Sequence, residues 1–320
     1  MTTATSMEHV SCLMCGQAEA RLVHRGNDYS FHLPGTFQMV QCEHCGLIYQ
    51  NPRPTIEAID TFYPDQYGAY SGASTGLRAR RGLIGKVIRR GMHKRCGLLD
   101  RYVEQSPGQP RRLLDVGCAS GVFLEAMQEY PGWEVEGVEP NAAAARATSA
   151  RLNIPVFEGF FEAARYADAS FDAITLWDVL EHLHNPVASL HELHRILRPN
   201  GVLFMRVPNG ASYVRTLSGR YWVGYELPRH MTLFTPRTLG HMLYATGFHL
   251  PIAHYTAGSY LCAIHSLRFA MDDGKVAPEL AASIHRRLYH PIGRALAWLP
   301  FKLGDALAGG SVFEALVRRT

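Results

Sequence analysis

The order of apolar and polar positions changes character twice along the chain. Apolar runs near 112–117, 134–139, 154–157, 171–177 and 201–207 alternate with helical patterns near 121–130, 141–152 and 186–198. Buried-strand runs separated by helices of this length imply parallel pairing through right-handed crossovers, so the pattern predicts a doubly wound α/β sheet. The rhythm breaks at Pro208, Asn209 and Gly210, and residues 208–235 read as an irregular insert rich in aromatics. Thr235 then reads as a helix cap with Pro236 at the first helical position. Phe248 to Tyr255 is predicted as a sixth strand, 259–307 as helical and amphipathic in parts, and Ser311 to Arg318 as a closing strand. Upstream, residues 1–50 read as a separate module. Residues 51–110 read as an extended proline- and tyrosine-rich stretch from Asn51 to Tyr70, a link over Ser71 to Gly76, and a basic helix over about 77–104. The remainder, 111–320, forms the main domain.

Chemistry concentrates where the first strand of that domain ends. Leu113, Leu114, Asp115 and Val116 run into Gly117, Cys118, Ala119, Ser120 and Gly121, and a helical pattern begins at Val122. Glycine lets the backbone turn tightly and a ligand approach, while the free N–H groups of the next helix face the same spot. A dinucleotide fingerprint needs a closer glycine spacing, G-x-G-x-x-G, so a pyrophosphate cofactor is disfavoured. The second strand ends in Glu139, about where an acid accepts both hydroxyls of a ribose.

Taken with Phe171 to Trp177 and the following Asp178 to Pro186, these segments resemble the class I S-adenosylmethionine-dependent methyltransferases over roughly residues 111 to 250. The resemblance implies a Rossmann-like, mostly parallel seven-stranded sheet with an antiparallel last strand. It places Asp115, Gly117, Ala119 and Gly121 along the methionine end of the cofactor, and Glu139 on the ribose. Phe160, in the turn with Gly159 and Phe161, falls beside the adenine, and Trp177 and Asp178 close over the cofactor. Ala119 stands where most of that superfamily has glycine. The Glu181-His182 pair is similar to that of deoxysugar methyltransferases, in which the histidine is a base, and to that of quinone-pathway O-methyltransferases. In the latter, positions matching Asp178, Glu181 and His182 serve a divalent metal. An imidazole titrating near neutrality suits a general base, with Glu181 orienting its ring. In the insert, Arg229 and His230 are candidates to contact the acceptor, and Tyr221, Trp222 and Tyr225 to form an aromatic wall.

The cysteines add a second centre. Cys12 with Cys15 and Cys42 with Cys45 form two C-x-x-C knuckles, a strong signal for a closed structural zinc site in an N-terminal ribbon, with a hairpin suggested by Phe31 to Val40 between them. Cys96, Cys118 and Cys262 read as small buried side chains. Such a four-cysteine module ahead of a Glu-His core resembles a bacterial family that serves sugar, polysaccharide and secondary-metabolite pathways.

Composition changes this picture little. Across 320 residues, 47% hydrophobic and 19% charged, no run is long and apolar enough to cross a bilayer, and Met1 to Val10 lacks the pattern of a secretory leader. A cytoplasmic location is expected. The net charge of +4 is mild but uneven, with Arg78, Arg80, Arg81, Lys86, Arg89, Arg90, Lys94 and Arg95 uninterrupted by acids. Peripheral contact with an anionic membrane face stays open, as does the oligomeric state. The expected function is methyl transfer to a hydroxyl or activated carbon of a small-molecule acceptor, sugar-like, lipid-linked or a secondary metabolite. Two rivals are a nucleic-acid methyltransferase using the ribbon and basic helix, and a non-catalytic cofactor-binding interaction module. Against the first stand the modest charge and the absence, after the fourth strand, of an Asn-Pro-Pro-aromatic or Asp-Pro-Pro-aromatic tetrapeptide.

Overall fold

The computed structural model describes residues 6–64, 67, 77, 82–105, 108–249, 253–274 and 276–320. The N-terminal part contributes β1 (Met7–Glu8), β2 (Ala20–Gly26), β3 (Phe37–Cys42), β4 (Ile48–Gln50) and β5 (Arg53–Pro54), followed by α1 (Gly82–Tyr102). The alternating region gives β6 (Arg111–Val116), α2 (Val122–Met127), β7 (Trp133–Glu139), α3 (Ala142–Leu152), β8 (Val156–Glu158), β9 (Phe171–Trp177), α4 (Pro186–Ile196) and β10 (Leu197–Pro208). After it come α5 (Tyr213–Ser218), β11 (Thr232–Leu233), α6 (Pro236–Ala245), β12 (Ala253–Ala257), α7 (Ser259–Asp272), α8 (Pro278–Tyr289), α9 (Pro291–Ala308) and β13 (Val312–Arg318).

Seven strands make the central sheet in the order β12-β13-β10-β9-β6-β7-β8. β8, β7, β6, β9 and β10 run parallel, and β13 is antiparallel to both its neighbours. Side chains alternate between two cores, as the period of a strand buried on both faces requires. Leu114, Ile174 and Leu203 enter one core while Leu113, Ala173 and Phe204 enter the other. The strand order reverses between β6 and β9, so the connections leaving their carboxyl ends turn to opposite faces of the sheet and leave a crevice.

Local signals hold where they were strongest. Asn141 and Asn185 accept the N–H of Ala144 and Ala188 to cap α3 and α4. Thr235 and Thr238 exchange hydrogen bonds in a capping box ahead of Pro236. Three expectations need correction. The sixth strand is Ala253–Ala257, because Phe248 is already committed to an isolated bridge with Arg319; residues 250–252 lie outside the described residues. The stretch after Asn51 is not simply extended: Ile59–Phe62 forms a 3-10 turn that buries Ile59 and Phe62. The N-terminal hairpin uses Ala20–Gly26 against Phe37–Cys42 and leaves Phe31 in the connecting loop. The link at Ser71 to Gly76, and Arg78, Arg80 and Arg81 of the basic run, lie outside the described residues.

The insert and the N-terminal module share a sheet. β11 pairs with β4, setting Thr232 opposite Tyr49 and Leu233 opposite Ile48, to give the order β11-β4-β3-β2. Trp222, Tyr225 and Met231 of the insert are buried with Phe37, Met39 and Phe62 in a third core. On α1 the basic side chains are partly neutralised: Arg95 forks onto Glu314 of β13, and Arg89 bonds Glu129 at 3.1 Å.

Candidate functional site

Two cavities meet at the carboxyl ends of β6 and β9. One is bounded by Glu139, Pro140, Gly159, Phe160, Phe161 and Ile59. The other, about 490 Å³, is bounded by Asp115, Cys118, Phe123, Glu181, Arg206, Glu226, His230 and Cys262. That is the size of a small-molecule site. Gly117, Ala119, Trp177, Asp178, His182 and Tyr67 line both.

The glycine corner is dictated by space as well as by backbone. Gly117 has φ +68°, and a Cβ there would stand 2.6 Å from Val179 Cγ2. At Gly121, φ is +61° and a Cβ would meet Thr148 Cγ2 at 2.5 Å. Gly121 therefore turns the chain and packs on α3, and it is not among the residues lining either cavity. Ala119 adopts φ +45° in the place of the expected glycine, with its N–H donated to Glu139 Oε2 at 2.9 Å and its carbonyl accepting from Thr148 Oγ1 at 2.8 Å. Glu139 also accepts the N–H of Asn141 at 2.8 Å. Asp115 is buried and accepts from Thr175 Oγ1 at 2.6 Å. Burial raises its carboxyl to about 7 against the pull of that hydrogen bond, with Glu139 nearby adding to the rise.

On the far side, Leu180–His182 form a 3-10 turn directly after β9. His182 Nδ1 lies 2.8 Å from the Tyr63 hydroxyl and 3.1 Å from the Arg229 carbonyl. Its ring stands edge-on to His230, with centroids 4.6 Å apart. Burial, and then His230, lower His182 from its ordinary 6.5 to about 3, so it is neutral and does not titrate near neutrality as the sequence suggested. His230 is held by the Gly224 carbonyl at 2.9 Å and faces Glu226 Oε2 at 3.5 Å. Glu226 is driven below the ordinary carboxylate range by His230, His182 and Arg229, which outweigh its burial.

Glu181 behaves oppositely. It is fully buried, neither carboxylate oxygen reaches a partner in another residue, and burial with Asp178 nearby pushes its carboxyl well up. It makes no hydrogen bond to His182, so it does not orient that ring. Asp178, at φ +56°, is instead held by a bidentate fork from Arg206. The side chains that converge closely enough to share an ion are Glu181, His182 and His230, within 4.8 Å of one another. Asp178 is not in that set, and its carboxylate is taken by Arg206.

Two more expectations fail. Tyr221, Trp222 and Tyr225 do not wall the cleft: Trp222 is buried, Tyr225 stacks on His24 at 3.8 Å, and Tyr221 bonds Asp273. Their large apolar surfaces gain more against the N-terminal sheet than facing a wet cavity. Arg229 reaches no acceptor either, because its guanidinium is buried against Asp28 at 2.7 and 3.0 Å and over the Phe31 ring at 4.8 Å. Tyr63, Tyr67, Arg206 and Glu226 were missed. Tyrosine in a proline-rich stretch was the one available signal, since each of the four reaches the site from a distant element.

The four thiols of the N-terminal module converge. Cys12 Sγ and Cys45 Sγ lie 3.4 Å apart, Cys15 Sγ and Cys42 Sγ 3.5 Å, and all four fall within 4.8 Å. Gly16 and Gly46, at φ +74° and +79°, return their N–H groups to the carbonyls of Cys12 and Cys42 and so close both knuckles. These separations are far beyond a disulfide bond.

Comparison with known proteins agrees with this geometry. A methyltransferase domain family matches residues 88–250. A ubiquinone biosynthesis O-methyltransferase of Alkalilimnicola ehrlichii is 33% identical over 138 residues, covering 40% of this chain and 56% of the relative. One from Pseudomonas aeruginosa is 28% identical over 127 residues, covering 37% and 54%. The chain thus spans about half the length of these curated relatives. A structure assigned as a sarcosine dimethylglycine methyltransferase from Galdieria sulphuraria superposes with a TM-score of 0.50 at 15% identity, covering 74% of this chain and 86% of that one. It shares the fold.

Proposed function

The chain belongs to the methyltransferase-domain family, and from that premise we propose that it is an S-adenosylmethionine-dependent methyltransferase whose acceptor is a small hydroxylated molecule, methylated on oxygen, with His182 taking the proton. The observation that carries this reading is His182 at the junction of the two cavities, with its Nδ1 against the Arg229 carbonyl. A carbonyl only accepts, so it selects the tautomer with the proton on Nδ1 and leaves the lone pair on Nε2. The Tyr63 hydroxyl secures the same edge of the ring.

The cleft fits the methyl donor. Gly117 lines both cavities and has no side chain to crowd Val179 or narrow them, Glu139 at the end of β7 would take the ribose, and Phe160, about half exposed, offers a face to the adenine. When bound, S-adenosylmethionine supplies an electrophilic methyl on a sulfonium. The protein holds the acceptor oxygen in line with it, and the O–C bond forms as the S–C bond breaks. The acceptor's proton passes to Nε2 of His182, and the ionised Glu226 beside His230 balances the imidazolium that results. An undiminished yield of methylated product from His182→Ala, with cofactor affinity retained, would overturn the assignment.

A second reading has one observation in its favour, the unpartnered carboxylate of Glu181. With His182 and His230 it offers one oxygen and two nitrogens to a divalent ion, which would hold the acceptor's oxygen. Activity abolished by a chelator and restored by added divalent ion selects this version over the base. At the N-terminus the four thiols fit structural zinc: sulfurs about 2.3 Å from one ion stand about 3.8 Å apart, close to the separations found.

A further inference from the structure

α9 carries two faces of unlike character. Phe301 packs into the third core, Gly304 sits where a Cβ would stand 2.6 Å from the Tyr213 hydroxyl, and Asp305 is buried. Leu296, Leu299, Leu303 and Leu307 recur at helical spacing on the other side, with Leu296 and Leu307 72% and 86% exposed. Trp298, also exposed at 53%, lies off that stripe on the flank next to Asp305, and the Lys302 ammonium, between Trp298 and the stripe, stands 5.6 Å from its ring centroid. A single exposed leucine needs no explanation, whereas five large apolar side chains along one helix do.

Charge indicates what covers them. Among the described side chains of α9 no acid is exposed and Lys302 is. Arg286 and Arg287 are exposed in the last turn of α8, which His290 alone joins to α9. Leucine, tryptophan and flanking cations form the surface of a helix lying in the plane of an anionic lipid interface, and the exposed acid among the described side chains of the hairpin, Glu279, lies in the first turn of α8, at the end away from α9. The helix is also joined to the site. The chain leaves α9 at Ala308, and Ser311 and Val312 line the acceptor cavity, as does Cys262 on α7, against which α9 packs.

We propose that the α8–α9 hairpin is a membrane-docking surface that seats this protein on an anionic bilayer, beside the acceptor cavity. Docking does not require the acceptor to be a lipid and is tested without it. The full chain is sedimented with vesicles of phosphatidylcholine plus phosphatidylglycerol and with vesicles of phosphatidylcholine alone. Wild type is expected to partition onto the anionic vesicles and to release as salt is raised. Leu299→Ser with Leu303→Ser should lower partitioning about ten-fold or more, and Lys302→Glu should lower it by a smaller factor. Unchanged affinity for S-adenosylhomocysteine certifies that each variant is folded. Failure of wild type to bind, or binding indifferent to these substitutions, would overturn the proposal. So would light scattering that finds a dimer dissociated by the same double variant, since the face would then belong to a second copy.

Discussion

His182 and Asp115 hold their places for opposite reasons. His182 is fixed by two oxygens at one nitrogen, and removing a general base typically costs about 100-fold or more in turnover. His182→Ala should therefore lower kcat by roughly that factor while calorimetry with S-adenosylhomocysteine finds nearly unchanged affinity. Asp115 is a buried carboxyl raised from its ordinary 3.8 to about 7. A carboxyl raised by folding stabilises the fold fully below its unfolded value, and that contribution is lost as pH climbs through the folded value. Against the rise in stability that His182, lowered from 6.5 to about 3, gives as pH climbs from about 3 to 6.5, Asp115 should contribute a downward slope in thermal stability of the ligand-free protein between about pH 4 and pH 7. Asp115→Asn keeps an oxygen for Thr175 and should flatten that slope, yet weaken S-adenosylhomocysteine binding; melting curves against pH read the first effect and calorimetry the second. Asp115 and His182 were legible because each lies within a few positions of a strand's carboxyl end. Glu226 was not, since Arg229 and His230 stand a few positions on in the same segment but His182, which also faces it, arrives from the turn after β9. Sequence also mistook Glu181 for a partner of its neighbour, because adjacency in a 3-10 turn does not make two side chains face each other.

At the scale of elements, the β6–α2 turn and the two knuckles were readable because each is built from residues within a few positions. Their consequences are testable locally. If the four thiols hold zinc as proposed, wild type should carry about one zinc per chain, and Cys42→Ser should lose it and lower the melting temperature of the protein. That effect should spread to the cleft, because Tyr49 of β4 pairs with Thr232, and Met231 beside it donates its N–H to the Glu181 carbonyl. The Asp28–Arg229 pair spans the same junction between the N-terminal loop and the insert, with both side chains wholly buried. Breaking it leaves the buried Arg229 with Glu226 at 3.2 Å as its remaining carboxylate, so Asp28→Ala should destabilise by up to about 3 kcal/mol in denaturant unfolding. None of this was visible in the sequence. The aromatics at 221–225 signalled burial correctly but not its partner, which is a hairpin about two hundred positions earlier in the chain.

For the whole molecule, parallel strand order brings the glycine corner and the Leu180–His182 turn to one crevice, and the N-terminal sheet buttresses that turn through β11. Alternation of strand and helix revealed the first of these. The buttress depends on a two-residue strand whose pattern resembles any loop. The central claim is that this crevice methylates a hydroxyl through His182. It is tested most directly by incubating wild type and His182→Ala with isotopically labelled S-adenosylmethionine and a bacterial small-molecule extract, then comparing the labelled products by mass spectrometry. The account predicts a hydroxyl-bearing molecule that gains one labelled methyl on oxygen with wild type, and about 100-fold less of it with the variant at equal cofactor occupancy. Equal yields from the two proteins, or label found only on nitrogen or in nucleic acid, would contradict it.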